Sequence, residues 1–255
     1  MTSLRPGLAR LSQKSWRGAL PADRAYDLWA QTYDRDDNPV KHLERRLLEK
    51  SLRGLRLKSP ALLDFGCGTG RHWQLFLRSR PRRLLGCDVS RGMLKVLKAK
   101  HPRAEIFLLK GKGPQRPVHF SFLAEASLDL VVCSLTLGYL GEIGSFLNEC
   151  RRVLKPGGHL LVSDLHPDRV AEGARRDFPG PGGRREIRHF HHGLKELKLL
   201  GDKQDFRVRR LRLARVDATV KHFYRQAPEL YRRSRLLPLV YMLELRRKKT
   251  KDSYA

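Results

Sequence analysis

With 255 residues and 40% hydrophobic content, the chain holds enough apolar material for a core, which excludes wholesale disorder. No apolar run approaches the roughly 18–20 residues of a membrane-spanning helix, so none is expected. The 53 Lys+Arg outnumber 26 Asp+Glu for a formal net charge of +27. That excess reads either as the footprint of a polyanion partner, nucleic acid or an anionic lipid surface, or as a solvated arginine-rich face.

In chain order, residues 1–24 contain five basic residues and one acid, Asp23. They read either as a basic targeting segment, which implies a mitochondrial location, or as a frayed tail. Pro39 opens a predicted helix through HLERRLLEKSLRGL, where Leu43, Leu47, Leu48 and Leu52 recur at helical spacing. Residues 61–65 (ALLDF) form a short apolar run ending in glycines, the pattern of a buried strand. The alternation continues with a helix over 70–80, a strand over 83–88, a helix over 91–100 and a strand over 105–109. A strand over 127–134, a helix over 146–154 and a strand over 159–164 complete it. Strands without internal polar alternation, separated by helices, predict βαβ units and a mainly parallel sheet.

Residues 168–190 are rich in Gly, Pro and Arg and read as a loop or lid. A helix is expected over 192–200, a half-exposed strand with a basic outer face over 206–216, a helix over 217–235 and a last strand over 238–245. The late strands suit a hairpin-like pair at one sheet edge. The expected organisation is therefore a tail (1–24), a nucleoside-binding core (25–167), a loop or lid (168–190), a C-terminal part of the same sheet (191–247) and a basic tail (248–255). Cys67, Cys87, Cys133 and Cys150 are widely spaced, without a C-x-x-C pair or zinc-finger spacing. This argues against a disulfide scaffold and a metal site, and for a reducing, cytoplasmic setting.

The strongest local signal is Leu62-Leu63-Asp64-Phe65-Gly66-Cys67-Gly68-Thr69-Gly70, a strand running into Gly-x-Gly-x-Gly before a helix. Glycines there permit positive φ and close backbone approach, and the following helix start favours negative charge. Asp88 stands eighteen residues after Gly70 at the end of the second strand, where an acid accepts hydrogen bonds from a ribose diol. Arg71 follows Gly70, so the third slot of G-x-G-x-x-G is absent, and no phosphate-loop motif occurs. Asp64, just before the first glycine, suits a cationic ligand better than a pyrophosphate.

At these residues the sequence resembles a known family, the class I S-adenosylmethionine-dependent methyltransferases, over roughly residues 25–167. Asp64 to Gly70 resembles its first motif, and Gly86-Cys87-Asp88-Val89-Ser90 with Met93-Leu94 its ribose-binding motif. Leu128 to Ser134 resembles the fourth-strand segment, and Arg152-Val153-Leu154-Lys155-Pro156-Gly157-Gly158 the turn before the fifth strand. Tyr26-Asp27-Leu28-Trp29-Ala30-Gln31-Thr32-Tyr33-Asp34 is similar to the N-terminal element of the subgroup containing quinone- and biotin-pathway methyltransferases, which folds over the cofactor.

The resemblance implies an α/β fold: a doubly wound, Rossmann-like, mainly parallel seven-stranded sheet, helices on both faces and an antiparallel edge strand. It implies S-adenosyl-L-methionine as cofactor. Asp64 and the backbone of Gly66, Cys67, Gly68 and Gly70 would hold the methionine end, and Asp88 the ribose. Val89 and Met93 would flank the adenine, Tyr33 and Trp29 would cover the sulfonium, and Cys133 and Ser134 would border the cofactor. Met93, Val89 and Trp29 equally fit plain packing roles. Two positions depart from the family pattern: Lys112, between Gly111 and Gly113, replaces a usual acid, and Lys203-Gln204-Asp205-Phe206 replaces Ala-Gly-Phe.

Candidate bases above the strand ends are His166 and His191 or His192, and Tyr139 is placed to touch the acceptor; each equally fits a surface or packing role. The fourth strand is followed by Leu135-Thr136-Leu137 rather than Asn-Pro-Pro-Tyr, against amino-methylation of DNA bases or protein glutamine. The leading expectation is methyl transfer to a small-molecule acceptor. The alternatives are a methyltransferase of RNA or another polyanion, and a non-catalytic nucleic-acid- or membrane-binding protein reusing the fold. Residues 184–255 hold 21 Lys+Arg and 8 Asp+Glu, so much of the basic excess lies outside the glycine-loop core.

Overall fold

The computed structural model describes residues 18–109, 117–180 and 182–249. Lys112 and its glycine neighbours, most of the 1–24 tail and the end of the 248–255 tail lie outside the described residues. Five parallel strands form most of one sheet: β1 (Ala61–Phe65), β2 (Arg83–Asp88), β3 (Glu105–Leu108), β4 (Leu128–Ser134) and β5 (Leu154–Leu165). A short hairpin, β6 (Asp177–Gly180) and β7 (Gly183–Glu186), stands apart. β8 (Phe206–Arg215) and β9 (Pro238–Arg247) complete the seven-stranded sheet, in the order β3-β2-β1-β4-β5-β9-β8. β9 runs antiparallel to both β5 and β8, so the antiparallel pairing expected at this edge is present, with β8 outermost.

Strand order reverses between β1 and β4, which opens a crevice at their carboxyl ends. All five residues of β1 are buried, as a strand covered on both faces requires. One face carries α5 (Ile143–Val153) and α7 (Leu194–Lys203), with Phe146, Leu147, Cys150 and Leu197 in its core. The other carries α2 (Pro39–Leu55), α3 (Trp73–Leu77) and α4 (Arg91–Lys100), with Leu43, Leu48, Phe76 and Leu97. A third cluster gathers α1 (Ala22–Trp29), Met93 and Phe178 of β6 above the crevice.

Several elements differ from the pattern reading. The helix expected over 70–80 is only Trp73–Leu77, because Gly70 holds φ of 76° and Arg80 ends the segment at φ of 47°. The helix expected over 217–235 is broken into a 3-10 segment, Ala218–Tyr224, and α8 (Pro228–Ser234). Pro228 lacks the N–H that a continuous helix would need there. The Gly/Pro/Arg-rich segment is not plain loop: it forms α6 (Pro167–Ala171) and the β6–β7 hairpin, anchored by Phe178 stacked on Trp29 at 5.6 Å. At the Lys203–Phe206 departure, Asp205 takes φ of 58°, a left-handed position that glycine fills most cheaply.

α2 presents Lys41, Glu44 and Ser51 to the interior on the same side as Leu47 and Leu48. Each buried polar group has a dedicated partner. Ser51 donates to Glu244 of β9 at 2.8 Å, and Arg212 of β8 pairs with the same carboxylate at 3.0 Å. Glu44, with no exposed surface, receives Arg71 at 3.0 Å, His72 at 2.9 Å, Ser134 at 2.5 Å and Ser163 at 2.9 Å. Burial would push this carboxyl up, but the His72 and Arg71 partners outweigh it and hold it well below the usual range. Its stabilisation is therefore fully present above the ordinary carboxylate range and is lost only as pH falls far below it. Glu44→Gln strips the charge but keeps the shape, leaving Arg71 uncompensated, and is expected to cost about 3–5 kcal/mol of stability. Denaturant unfolding at neutral pH measures this, and a variant as stable as the parent would assign α2 docking to apolar packing alone.

Candidate functional site

The glycine loop leaves β1 with positive φ at Gly66 (71°), Gly68 (53°) and Gly70 (76°). At Gly66 the requirement is also steric, since a Cβ there would lie 2.2 Å from Thr136 Oγ1. The N–H groups of Gly66 and Cys67 bond the Cys87 carbonyl at 2.8 and 3.1 Å, which fastens the loop to the end of β2. Asp88 accepts from Gly68 N at 2.8 Å through Oδ2 and from Ser90 N at 2.9 Å through Oδ1. A carboxylate offers about four lone-pair sites, so each oxygen retains an acceptor position. Burial pushes Asp88 above its ordinary range, with the Ser90 and Gly68 amides opposing.

Asp64, at the end of β1, is 2% exposed and accepts from Trp73 Nε1 at 3.1 Å. Burial pushes it up to about 7. Six acids are buried among the described residues: Glu44, Asp64, Asp88, Glu149, Asp164 and Glu244. Four have an Arg partner: Glu44 with Arg71, Glu149 with Arg152, Asp164 with Arg176 and Glu244 with Arg212. Asp64 and Asp88, flanking the glycine loop, are the two that make no ion pair, with Arg71 acting on Asp64 only from a longer range.

The structure brings an aromatic cover over this loop. Trp29 lies edge-on to Tyr33 at 4.8 Å, and Tyr26 shares its hydroxyl with Tyr139 at 2.8 Å. Asp27 of α1 accepts from Ser90 Oγ at 2.6 Å and Gly92 N at 2.8 Å, which ties the cover to the start of α4. Gly92 allows that approach, since a Cβ there would meet Ala30 Cβ and the Asp27 carbonyl at 3.1 Å. The Lys41 ammonium donates to the carbonyls of Tyr33 at 2.8 Å and Asp36 at 2.6 Å and lies 3.7 Å from the Tyr33 ring centroid. Burial pulls Lys41 down to about 8.

Other named residues have mixed placements. Met93 is fully buried beneath the cover, whereas Val89 is exposed. Cys133 faces the α5-side core, and Ser134 spends its hydroxyl on Glu44, so a ligand would meet these two through backbone. His166 caps α6, its Nδ1 accepting from Asp168 N at 3.4 Å, and burial lowers its pKa. His192 Nε2 lies 2.7 Å from the Leu140 carbonyl. His191 and His192 line a small cavity with Gly138, Asp164, Arg176 and Tyr241. Tyr139 borders that region under the Arg176 guanidinium, 4.8 Å from its ring centroid.

Pattern reading missed Asp27, Lys41, Glu44, Arg71, His72, Asp164 and Arg176. The available signal for Lys41 and Glu44 was a charged residue in phase with the apolar stripe of α2. Asp164 and Arg176 meet only through the tertiary fold: their ion pair joins the end of β5 to the start of the hairpin, and Asp164 also accepts from Gly138 N at 2.7 Å.

Comparison with known proteins agrees with this geometry. The methyltransferase-domain family profile matches residues 63–162. The chain is 34% identical over 154 residues to a malonyl-[acyl-carrier protein] O-methyltransferase of Methylovorus sp. (strain MP688), covering 58% of this chain and 51% of that one. It is 30% identical over 178 residues to the Hahella chejuensis protein of the same name, covering 68% and 61%. The chain thus spans about half to three fifths of the length of these two relatives. An S-adenosylmethionine-dependent methyltransferase structure from Mesorhizobium loti superposes with a TM-score of 0.56 at 20% identity, over 78% of this chain and 96% of that one. Residues 63–162, from within β1 through most of β5, therefore match the methyltransferase-domain family, and the sheet around them has the fold of S-adenosylmethionine-dependent methyltransferase structures.

Proposed function

We propose that this protein is an S-adenosylmethionine-dependent methyltransferase acting on a small-molecule acceptor. One observation carries the reading: in a chain with 53 Lys+Arg, the two buried carboxylates without an ion pair among the described residues are Asp64 and Asp88, on either side of a glycine loop at the sheet's switch point. Buried, unpaired acids call for a ligand that brings positive charge and hydrogen-bond donors. The ammonium and ribose diol of S-adenosylmethionine fit those two needs, and the loop between them keeps room at Gly68, where a Cβ would meet Met93 Sδ only at 3.9 Å.

The cofactor, when bound, supplies a methyl group already activated on a sulfonium. The chain's task is positioning. Asp64 and the loop hold the methionine end, Asp88 holds the ribose, and Tyr26, Trp29 and Tyr33 exclude water from above. The N-terminal cover is held by Lys41, which ties the loop after α1 to α2.

On the acceptor side, Tyr26 is raised well above the ordinary phenol range by burial and the neighbouring Tyr139, and Tyr33 is raised to about 12 by burial. His166 is committed to capping α6 and His192 sits against the Leu140 carbonyl. An acceptor that arrives already ionised needs no base, and a carboxylate oxygen meets that condition at neutral pH. The relatives named malonyl-[acyl-carrier protein] O-methyltransferases support an acyl carboxylate as the acceptor class.

Calorimetry with S-adenosylmethionine, joined by hydrogen exchange for Lys41, tests these roles. Asp88→Ala should weaken binding by roughly 1–3 kcal/mol, as loss of charge-assisted hydrogen bonds does, and an unchanged dissociation constant would retire the ribose role. In the parent, affinity should climb as pH rises through about 7, because Asp64 gives up its proton there and attracts the ligand's ammonium. Asp64→Asn should flatten that climb, whereas persistence of the climb would place the titrating group elsewhere. Lys41→Met should weaken binding and raise hydrogen exchange of α1, and Lys41→Arg should restore much of both. Equal exchange in all three proteins would release Lys41 from holding the cover.

A further inference from the structure

The basic excess is not spread evenly over the sheet. At the end away from the glycine loop, Arg207 of β8 stands directly opposite Arg246 of β9, and Arg246 directly opposite His159 of β5. Directly opposed like charges destabilise a sheet, so a row of three cationic or ionisable side chains across three strands is an arrangement that folding alone disfavours. Arg209 and Arg210 flank the row at a bulge in β8. Arg207, Arg209 and Arg210 are all exposed and none makes an ion pair among the described residues, Arg210 standing opposite a Glu244 that is held by Arg212. Lys249 joins them at Gly157, where a Cβ would meet Arg246 Nη2 at 3.3 Å and Lys249 Cε at 3.6 Å.

The nearby acid is already used: Glu244 is 6% exposed and held by Arg212 and Ser51. His159 shows the resulting field, its pKa lowered by burial and by Arg246 and Arg209, and its buried Nδ1 has no hydrogen-bond partner. From His159 to the crevice end of β5 at Leu165 is about 20 Å at the usual rise per strand residue, so this face does not form part of the methyl-transfer site.

We propose that this face binds the phosphate backbone of a nucleic acid. The row shares its sheet face with Leu161, Met242 and Val240, all buried, while the exposed Val208 of β8 pairs with Leu245 and points to the opposite face. The patch around the row is therefore charged and lacks an exposed large apolar side chain. Protein interfaces have an apolar core, and interfacial membrane helices bury an apolar face in the bilayer, neither of which this patch offers. Nucleic-acid interfaces are polar and strongly positive, and their affinity comes chiefly from phosphate contacts.

The test uses the full chain with a short labelled oligouridylate, in anisotropy titrations over a series of salt concentrations. The parent should bind, with log affinity falling linearly against log salt. The triple variant Arg207→Gln, Arg209→Gln, Arg210→Gln should bind at least about tenfold more weakly, with a salt slope shallower by about 2, as loss of three single-strand phosphate contacts predicts. Its melting temperature should equal or exceed the parent's, because like-charge repulsion is relieved. Absence of binding at low salt, or a parent-like slope in the variant, overturns the proposal. Tighter binding of polyglutamate or of phosphatidylglycerol vesicles than of oligouridylate at equal salt also overturns it. S-adenosylmethionine binding by the same variant should match the parent, which separates this face from the reading of the glycine loop.

Discussion

Taking the Glu44 carboxylate wholly out of water costs several kcal/mol unless its oxygens are fully used. The fold meets this by drawing four groups from three places onto one side chain: Arg71 and His72 behind the glycine loop, Ser134 at the end of β4 and Ser163 in β5. The carboxylate therefore fixes the start of α2 relative to the switch point of the sheet. One helical turn earlier, Lys41 gathers the carbonyls of Tyr33 and Asp36, and Arg71 reaches back to the Lys41 carbonyl at 3.3 Å. The aromatic cover, the glycine loop and the two middle strands are thus held to one another through a single helix face.

Against that frame, the distribution of paired and unpaired acids gains chemical meaning. Arginine is abundant enough here to neutralise any buried carboxylate, and it does so at Glu44, Glu149, Asp164 and Glu244. At Asp64 and Asp88 the hydrogen-bond donors are an indole N–H and backbone amides, which carry no net charge, and Arg71 acts on Asp64 without forming an ion pair. A bound cation at Asp64 would reverse the upward pull of burial on its proton, so ligand binding and proton release are coupled at that position.

The sequence made the parallel sheet and the glycine loop legible, because β1 is apolar at nearly every position and Gly66, Gly68 and Gly70 are required by conformation, Gly66 and Gly70 also by space. Asp88 was legible for the same local reason, its distance from the loop being set by one helix and one strand. The cover was read only through a resemblance, since nothing local in Trp29 or Tyr33 announces that they meet each other or that Trp29 meets Phe178 from the hairpin. The hairpin itself escaped because Gly and Pro dominate its sequence, while its order comes from one buried phenylalanine and the Arg176–Asp164 ion pair. Helix lengths failed where a residue took an unexpected conformation, as at Gly70, Arg80 and Pro228. Those outcomes depend on context more than on propensity.

The polarity of a parallel sheet also separates two kinds of charge. Carboxyl ends of the strands carry Asp64 and Asp88, the buried acids without an ion pair, and the opposite end of β5, β8 and β9 carries the opposed Arg207, Arg246 and His159. Were the net charge of +27 only a device for solubility, it would be cheapest to scatter it among exposed helix positions, where water screens each charge. Across adjacent strands, the sheet spacing fixes the stems of neighbouring cations close together, so only their side-chain ends can swing apart. The concentration of positive charge there is therefore a constraint the fold must bear, and an anionic ligand would relieve it.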